Sequence, residues 1–163
     1  MAADMFLKIE GPAVPGESKD KTHSGEIEVL SFSWGVSQAG SGAYGSGGLG
    51  AAKASFQDFS ITKYVDKASA RLNLAVSDGT HFGKFIITVR KAGGTEPVEY
   101  MVYTLENVII TSYQIGGSGG DILMESLSCQ GTIVKYEYKG QDGKGLGKNE
   151  GNYGWDITAN AVV

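Results

Sequence analysis

KASFQDFSITKYVDKASARLNLAVSDGTHFGKFIITVRKAGG, residues 53–94, holds the one convincing helix of the sequence, set between two strands. Ala54, Phe56, Phe59 and Ile61 form an apolar run after a glycine-rich loop, which reads as a strand. The period then changes. Ala68, Leu72, Ala75 and Val76 fall at i, i+4, i+7 and i+8, one stripe of a 3.6-residue helix. Asp66 or Ser69 is placed to cap the first turn, and Gly79 to end the helix in the left-handed region. Beyond it Phe85, Ile87 and Val89 alternate with Ile86, Thr88 and Arg90, a strand again. So short a helix is marginal alone and must lay its stripe on a sheet.

Working outward, Met5, Leu7 and Ile9 alternate with Phe6, Lys8 and Glu10 as a first strand, and residues 11–24 read as a polar loop. In GEIEVLSFSWGVS the inward set switches from Ile27 and Val29 to Leu30, Phe32, Trp34 and Val36, a parity flip that predicts a β-bulge at a barrel corner. Alternation then puts Ser31, Ser33 and Ser37 on the opposite face. Residues 38–53 form a glycine-rich loop longer than a hairpin needs. EPVEYMVYTLENVIITSYQI reads as a long strand with a break or bulge at Glu106–Asn107, followed by a turn at 116–121. ILMESLSCQGTIVKYEY bends at Gly131, and 139–154 reads as a flexible polar loop before a short last strand at Trp155–Ile157. One helix among many strands with repeated parity changes predicts a mainly β fold, a compact antiparallel barrel or tight sandwich.

At 163 residues the size fits one domain, 1–163. Glycine, at 25 residues, is roughly twice its average share near 7%, and it clusters in loops with no collagen period. A net charge of −4 disfavours nucleic acid or an anionic membrane as main partner. One cysteine, Cys129, excludes an internal disulfide framework and a cysteine-rich zinc site. The N-terminal apolar run is too short for a secretory signal, and no stretch approaches the ~20 apolar residues of a membrane helix. The expectation is synthesis in the cytosol, with any export using a route that needs no cleaved signal.

Catalytic parts are scarce. His23 and His81 lack local partners at ligand spacing and read as solvated or loop-packing histidines, and Cys129 as a buried structural thiol. There is no G-x-S-x-G elbow, and GGSGGD (116–121) lacks the Gly-Lys-Ser/Thr of a phosphate loop. The reading is a non-enzyme with no cofactor and no metal.

A resemblance covers nearly the whole length in order: DMFLKIEG (4–11), GESKDKTHSGEIEVLSFSWGVSQ (16–38), FQDFSITKYVDKAS (56–69), DGTHF (78–82) and TVRKAGG (88–94). VEY (98–100), ITSYQIGGSGGD (110–121), VKYEY (134–138) and GWDITAN (154–160) complete it. On these segments the chain resembles the haemolysin-coregulated proteins, tube subunits of bacterial type VI secretion systems, whose fold is similar to that of phage tail-tube proteins. The resemblance implies a β-barrel with a flanking helix, six copies in a ring, rings stacked into an expelled tube, and small effector proteins held in the lumen. Spike and sheath components of the same machine are implied partners, without nucleic acid and without membrane insertion. On this reading Gly40, Tyr44, Leu49 and Lys53 belong to a loop that contacts the next ring, and Ser31, Ser33 and Ser37 to a cargo-facing surface. The competing class is a monomeric ligand-binding barrel that uses its glycine-rich loops as a lid.

Overall fold

A computed structural model describes residues 3–39, 53–91, 97–141 and 147–163. The strands in chain order are β1 (Asp4–Glu10), β2 (Ile27–Val29), β3 (Ser31–Ser33), β4 (Val36–Ser37), β5 (Ser55–Phe56) and β6 (Phe59–Tyr64). After helix α1 (Ser69–Asp78) come β7 (His81–Lys91), β8 (Val98–Gly116), β9 (Met124–Gln130), β10 (Ile133–Gln141), β11 (Gly147–Asp156) and β12 (Ala161–Val162). Every pairing is antiparallel. The fold is mainly β with one helix, as the sequence predicts.

The barrel turns on β8. Its first half pairs with β7 on one edge and β10 on the other, in a layer ordered β12-β11-β10-β8-β7-β1-β2. Its second half pairs with β9, which continues through β6 to β3 as a second layer. The change of layer falls at Asn107, which takes φ +53°, and the register shifts again between Ile110 and Ser112. Opposite this corner Gly131 is tightly placed: a Cβ there would lie 3.1 Å from the Glu106 carbonyl oxygen and 3.1 Å from the Leu105 Cβ, so these neighbours would have to give by a few tenths of an ångström. The break expected at Glu106–Asn107 and the bend expected at Gly131 are therefore one corner, seen from its two strands.

The parity flip near Leu30 has a different cause from the expected bulge. Among the described residues β2 pairs with β1 alone and β3 with β6 alone, and Leu30 between them donates its N–H to the Thr62 carbonyl. The chain changes sheet at Leu30, and the inward parity resets because the partner changes. Leu30 itself lies exposed at the corner rather than inside, and Val36, also expected inside, is 49% exposed. Val36 belongs to the separate β4–β5 pair, which has left the barrel wall. Phe32 and Trp34 do pack on the core.

Leu7, Ile27, Phe59, Ile61, Phe85 and Leu127 fill the space between the layers. Helix α1 contributes Leu72 and Ala75, and Ala68 just before it is buried too. Fully burying a leucine is worth about 1.5–3 kcal/mol, more than the helix's own propensity supplies. Gly79 ends the helix at φ +70° with its N–H on the Ala75 carbonyl, as expected. The expected cap does not form, because the N-cap residue is Ala68 and no side chain caps it. Asp66 accepts from the Ala68 N–H instead, and Ser69 faces inward, donating to Glu125 at 2.7 Å.

The 139–154 stretch is likewise not a polar loop where it is described. β10 and β11 pair through it, with Tyr136 opposite Tyr153, and the segment anticipated as a short last strand at 155–157 is the end of β11 and the turn after it. Its polar, glycine-rich composition carries no apolar alternation, because this hairpin extends past the core and has little to bury.

Candidate functional site

Ser31 and Ser33 leave the second layer outward, and the register shows what stands beside them. Ser31 is opposite Thr62, Thr62 opposite Ser126, and Ser126 opposite Gln114. One step along, Ser33, Ser60, Ser128 and Ser112 stand in a second row. Between the rows Phe32, Ile61, Leu127 and Tyr113 point the other way, and Ile61 and Leu127 are fully buried. Two rows across four strands thus carry seven hydroxyls and one amide, with no charge and no buried member. Ser60 and Ser128 hydroxyls lie 3.3 Å apart.

This face was half visible in the sequence. Ser37 is exposed but sits opposite Ser55 on the β4–β5 pair, off the grid. Ser60, Thr62, Ser126 and Ser128 escaped notice, although each alternates with apolar residues in FSITKY and MESLSCQ. Of the loop residues singled out for stacking, Lys53 is exposed, while Gly40, Tyr44 and Leu49 lie outside the described residues.

Two clusters of charge are buried or nearly so. At the end beneath the helix, Lys63 bonds Asp66 at 2.9 Å, the Tyr64 carbonyl at 2.9 Å and Glu125. Glu125 also accepts from Ser69 and Tyr113. Burial pushes the Glu125 carboxyl up, but the bonds from Lys63, Tyr113 and Ser69 outweigh it and hold the group below the ordinary glutamate value. The Tyr113 hydroxyl, desolvated and bonded to that carboxylate, is pushed up to about 12. On the outer face of the first layer Arg90 bonds Asp20 at 2.6 and 2.9 Å and Asp4 at 3.2 Å. The Arg90 hydrogen bonds hold the Asp20 carboxyl well below the usual range.

His23 is not solvated. It is buried, stacked on Phe6 at 4.5 Å, and held by Glu26 and Glu99, so it is the loop-packing histidine of the two; His81 is exposed. Burial raises the Cys129 thiol, which keeps it protonated and inert. Among the described residues no group of three or more His, Cys, Asp or Glu is arranged to hold a metal ion, and no helix is long and apolar enough to cross a membrane. A side cavity of about 170 Å³ lies between the β4–β5 pair and the barrel, lined by Trp34, Phe56, Phe59, Leu105, Val134 and Ile157 among others. Among the described residues the space between the layers is filled by core side chains.

The two-row grid ends against Asp58, which accepts from Thr111 and Gln130, and solved structures share the filled barrel. The chain superposes on one described as a type six secretion system protein with TM-score 0.90 and 31% identity, covering 98% of this chain and 99% of the other. It superposes on Hcp1 from Salmonella typhimurium with TM-score 0.81 and 33% identity, covering all of both chains. Protein hcp1 of Pseudomonas aeruginosa is 48% identical over 163 residues, 98% of each chain. The family model described as "Type VI secretion system effector, Hcp" matches residues 6–138. The chain belongs to the Hcp family of type VI secretion system proteins.

Proposed function

We propose that this chain is a tube subunit: six copies close into a ring, rings stack, and the hydroxyl face of the second layer lines the lumen. The carrying observation is the two-row grid of Ser31, Thr62, Ser126, Gln114 and Ser33, Ser60, Ser128, Ser112. A lumen that carries different small effector proteins and lets them go needs many weak donors and acceptors and no fixed charge. Hydroxyls supply that, since each both donates and accepts. Head-to-tail association that closes gives a ring, and a single chain with one such face supplies one sector of it. Residues Gly40–Lys53 contact the neighbouring ring, and spike and sheath components of the secretion machine meet the finished tube. Export proceeds from the bacterial cytoplasm with the tube.

Ser33→Gln tests the central claim. Ser33 is exposed and enters no core, so the variant folds and sediments as the wild-type ring does, and its retention of small effectors in pull-down falls severalfold. A well-formed variant ring with unchanged effector retention removes Ser33 from the lumen. A variant that runs as monomer places it at a subunit contact instead. The lid-loop barrel reading predicts a species near the 17.1 kDa of one chain at every concentration, and velocity sedimentation separates the two.

A further inference from the structure

The segment between β1 and β2 doubles back over the outer face of the first layer as a strap. Gly16 donates to the Gly25 carbonyl, Ser18 to that of Glu26, and Gly25 back to that of Ser18. Two pins hold it down. The first is Asp20 on Arg90, a carboxylate–guanidinium pair. The second is His23, whose ring stacks on Phe6 and meets a carboxylate at each nitrogen: Glu26 at Nδ1 and Glu99 at Nε2, both at 2.7 Å.

We propose that the second pin is a proton-operated latch, which holds the strap to β8 only while both ring nitrogens of His23 carry a proton. Ionised carboxylates accept and do not donate, so two of them at 2.7 Å require two N–H donors, the imidazolium form. The surroundings ask for the same charge. The groups facing this site are Asp20 and Glu26 on the strap, Asp4 on β1, Glu28 on β2 opposite Phe6, Arg90 on β7 and Glu99 on β8. That is five carboxylates against one guanidinium, which also sits 5.0 Å over the Phe6 ring. When the imidazolium loses a proton, one nitrogen turns its lone pair toward a carboxylate. Glu99 is the more exposed of the two acids, 34% against 14% for Glu26, so it has water to turn to and is the contact that opens. Release there frees residues 22–26 from β8, while Asp20 stays on Arg90 and keeps the strap from leaving altogether. The latch thus controls access to Phe6 and the outer face of the first layer.

The chain has two histidines, and His81 is exposed, so the ring signals of His23 are separable by ¹⁵N-histidine NMR. The expected result is a doubly protonated His23 at the acid side of a titration from about pH 5 to pH 9, the range that spans histidine's charge change. As that proton leaves, amide exchange of Gly25 and Glu26 accelerates about tenfold to a hundredfold beyond its intrinsic pH dependence, the factor that one charge-assisted hydrogen bond represents, while the Thr22 and His23 amides stay on Asp20. Glu99→Gln is the second arm. A glutamine amide can accept from N–H or donate to a lone pair, so the strap stays closed and the acceleration disappears. A ring in one neutral tautomer with both contacts kept across the titration overturns the latch, because the shared proton would then sit on a glutamate. So does exchange that ignores the His23 titration, or a Glu99→Gln protein that keeps the full pH response.

Discussion

Glu125→Leu removes the acceptor at the centre of the buried charge cluster beneath α1. Glu125 and Lys63 are both fully shielded from solvent, and the carboxylate takes bonds from Lys63, Ser69 and Tyr113. Breaking a buried pair by deleting one partner costs about 3–5 kcal/mol, chiefly for the charge left behind. Here Lys63 keeps Asp66 and the Tyr64 carbonyl, each at 2.9 Å, so the expected loss lies at the lower end of that range. In a protein of this size each kcal/mol lowers Tm by about 2–4 °C, which puts the single variant roughly 6–12 °C below wild type. Lys63→Met alone should cost less, because Glu125 retains two hydroxyl donors. The double variant, Lys63→Met with Glu125→Leu, replaces the pair by apolar groups and should recover to within about 2 kcal/mol of wild type. Thermal and urea unfolding of the four proteins make the cycle. Additive losses in the double variant, or a Glu125→Leu protein within about 1 kcal/mol of wild type, would refute the claim that the pair is held by mutual need rather than by net stabilisation.

Acid should expose the same chemistry. Glu125 and Asp20 have folded pKa values below their ordinary ones, so the unfolded chain binds protons at higher pH than the folded one. Their contribution is present above the ordinary carboxylate range and is lost as pH falls through the folded values, so Tm should drop on acidification below about pH 5 and less steeply in the Lys63→Met, Glu125→Leu protein. Leu72→Ala, at a site with no solvent exposure, should cost about 2–5 kcal/mol by urea unfolding and leave any ring assembly of the folded fraction intact. Asn107→Val forces a β-branched residue to φ +53° and should cost about 1–3 kcal/mol, whereas Asn107→Gly should be nearly neutral. Deleting residues 42–49 should spare the ring and weaken ring-on-ring association in negative-stain images; equally abundant tubes would assign stacking elsewhere.

The apolar faces of strands were legible where burial imposes them, as at Phe59 and Ile61, while the alternation of Leu127 and Cys129 with Ser126 and Ser128 carried the same signal and went unread. The helix was legible for the same reason at a different period. The corner at Leu30 was seen and misread, since a parity flip records that the inward direction changed, not whether a bulge or a new partner changed it. The β10–β11 hairpin was invisible beyond residue 138, for its pairing rests on backbone hydrogen bonds that leave no trace in side-chain pattern. Ser31 and Ser33 were singled out while the rest of their grid was not, because rows across a sheet depend on register between strands far apart in sequence. His23 was undervalued likewise: its partner Glu99 is 76 residues away, and no local spacing announces it.

The place of β1 in the order of strands has a consequence for how the chain is made. One edge of β1 is served early by β2, but the other waits for β7, where Asp4 pairs with Arg90. Some 60 residues must be added after Val29 before that partner is complete, which at 5–20 residues per second leaves the edge uncovered for roughly 3–12 s on the ribosome. During that interval the strand that carries Phe6, Leu7 and Ile9 has β2 beside it on one edge and nothing on the other. An open strand edge is a template for pairing with another chain, so the hazard of wrong association is greatest while translation is half finished, and crowded polysomes are where it concentrates.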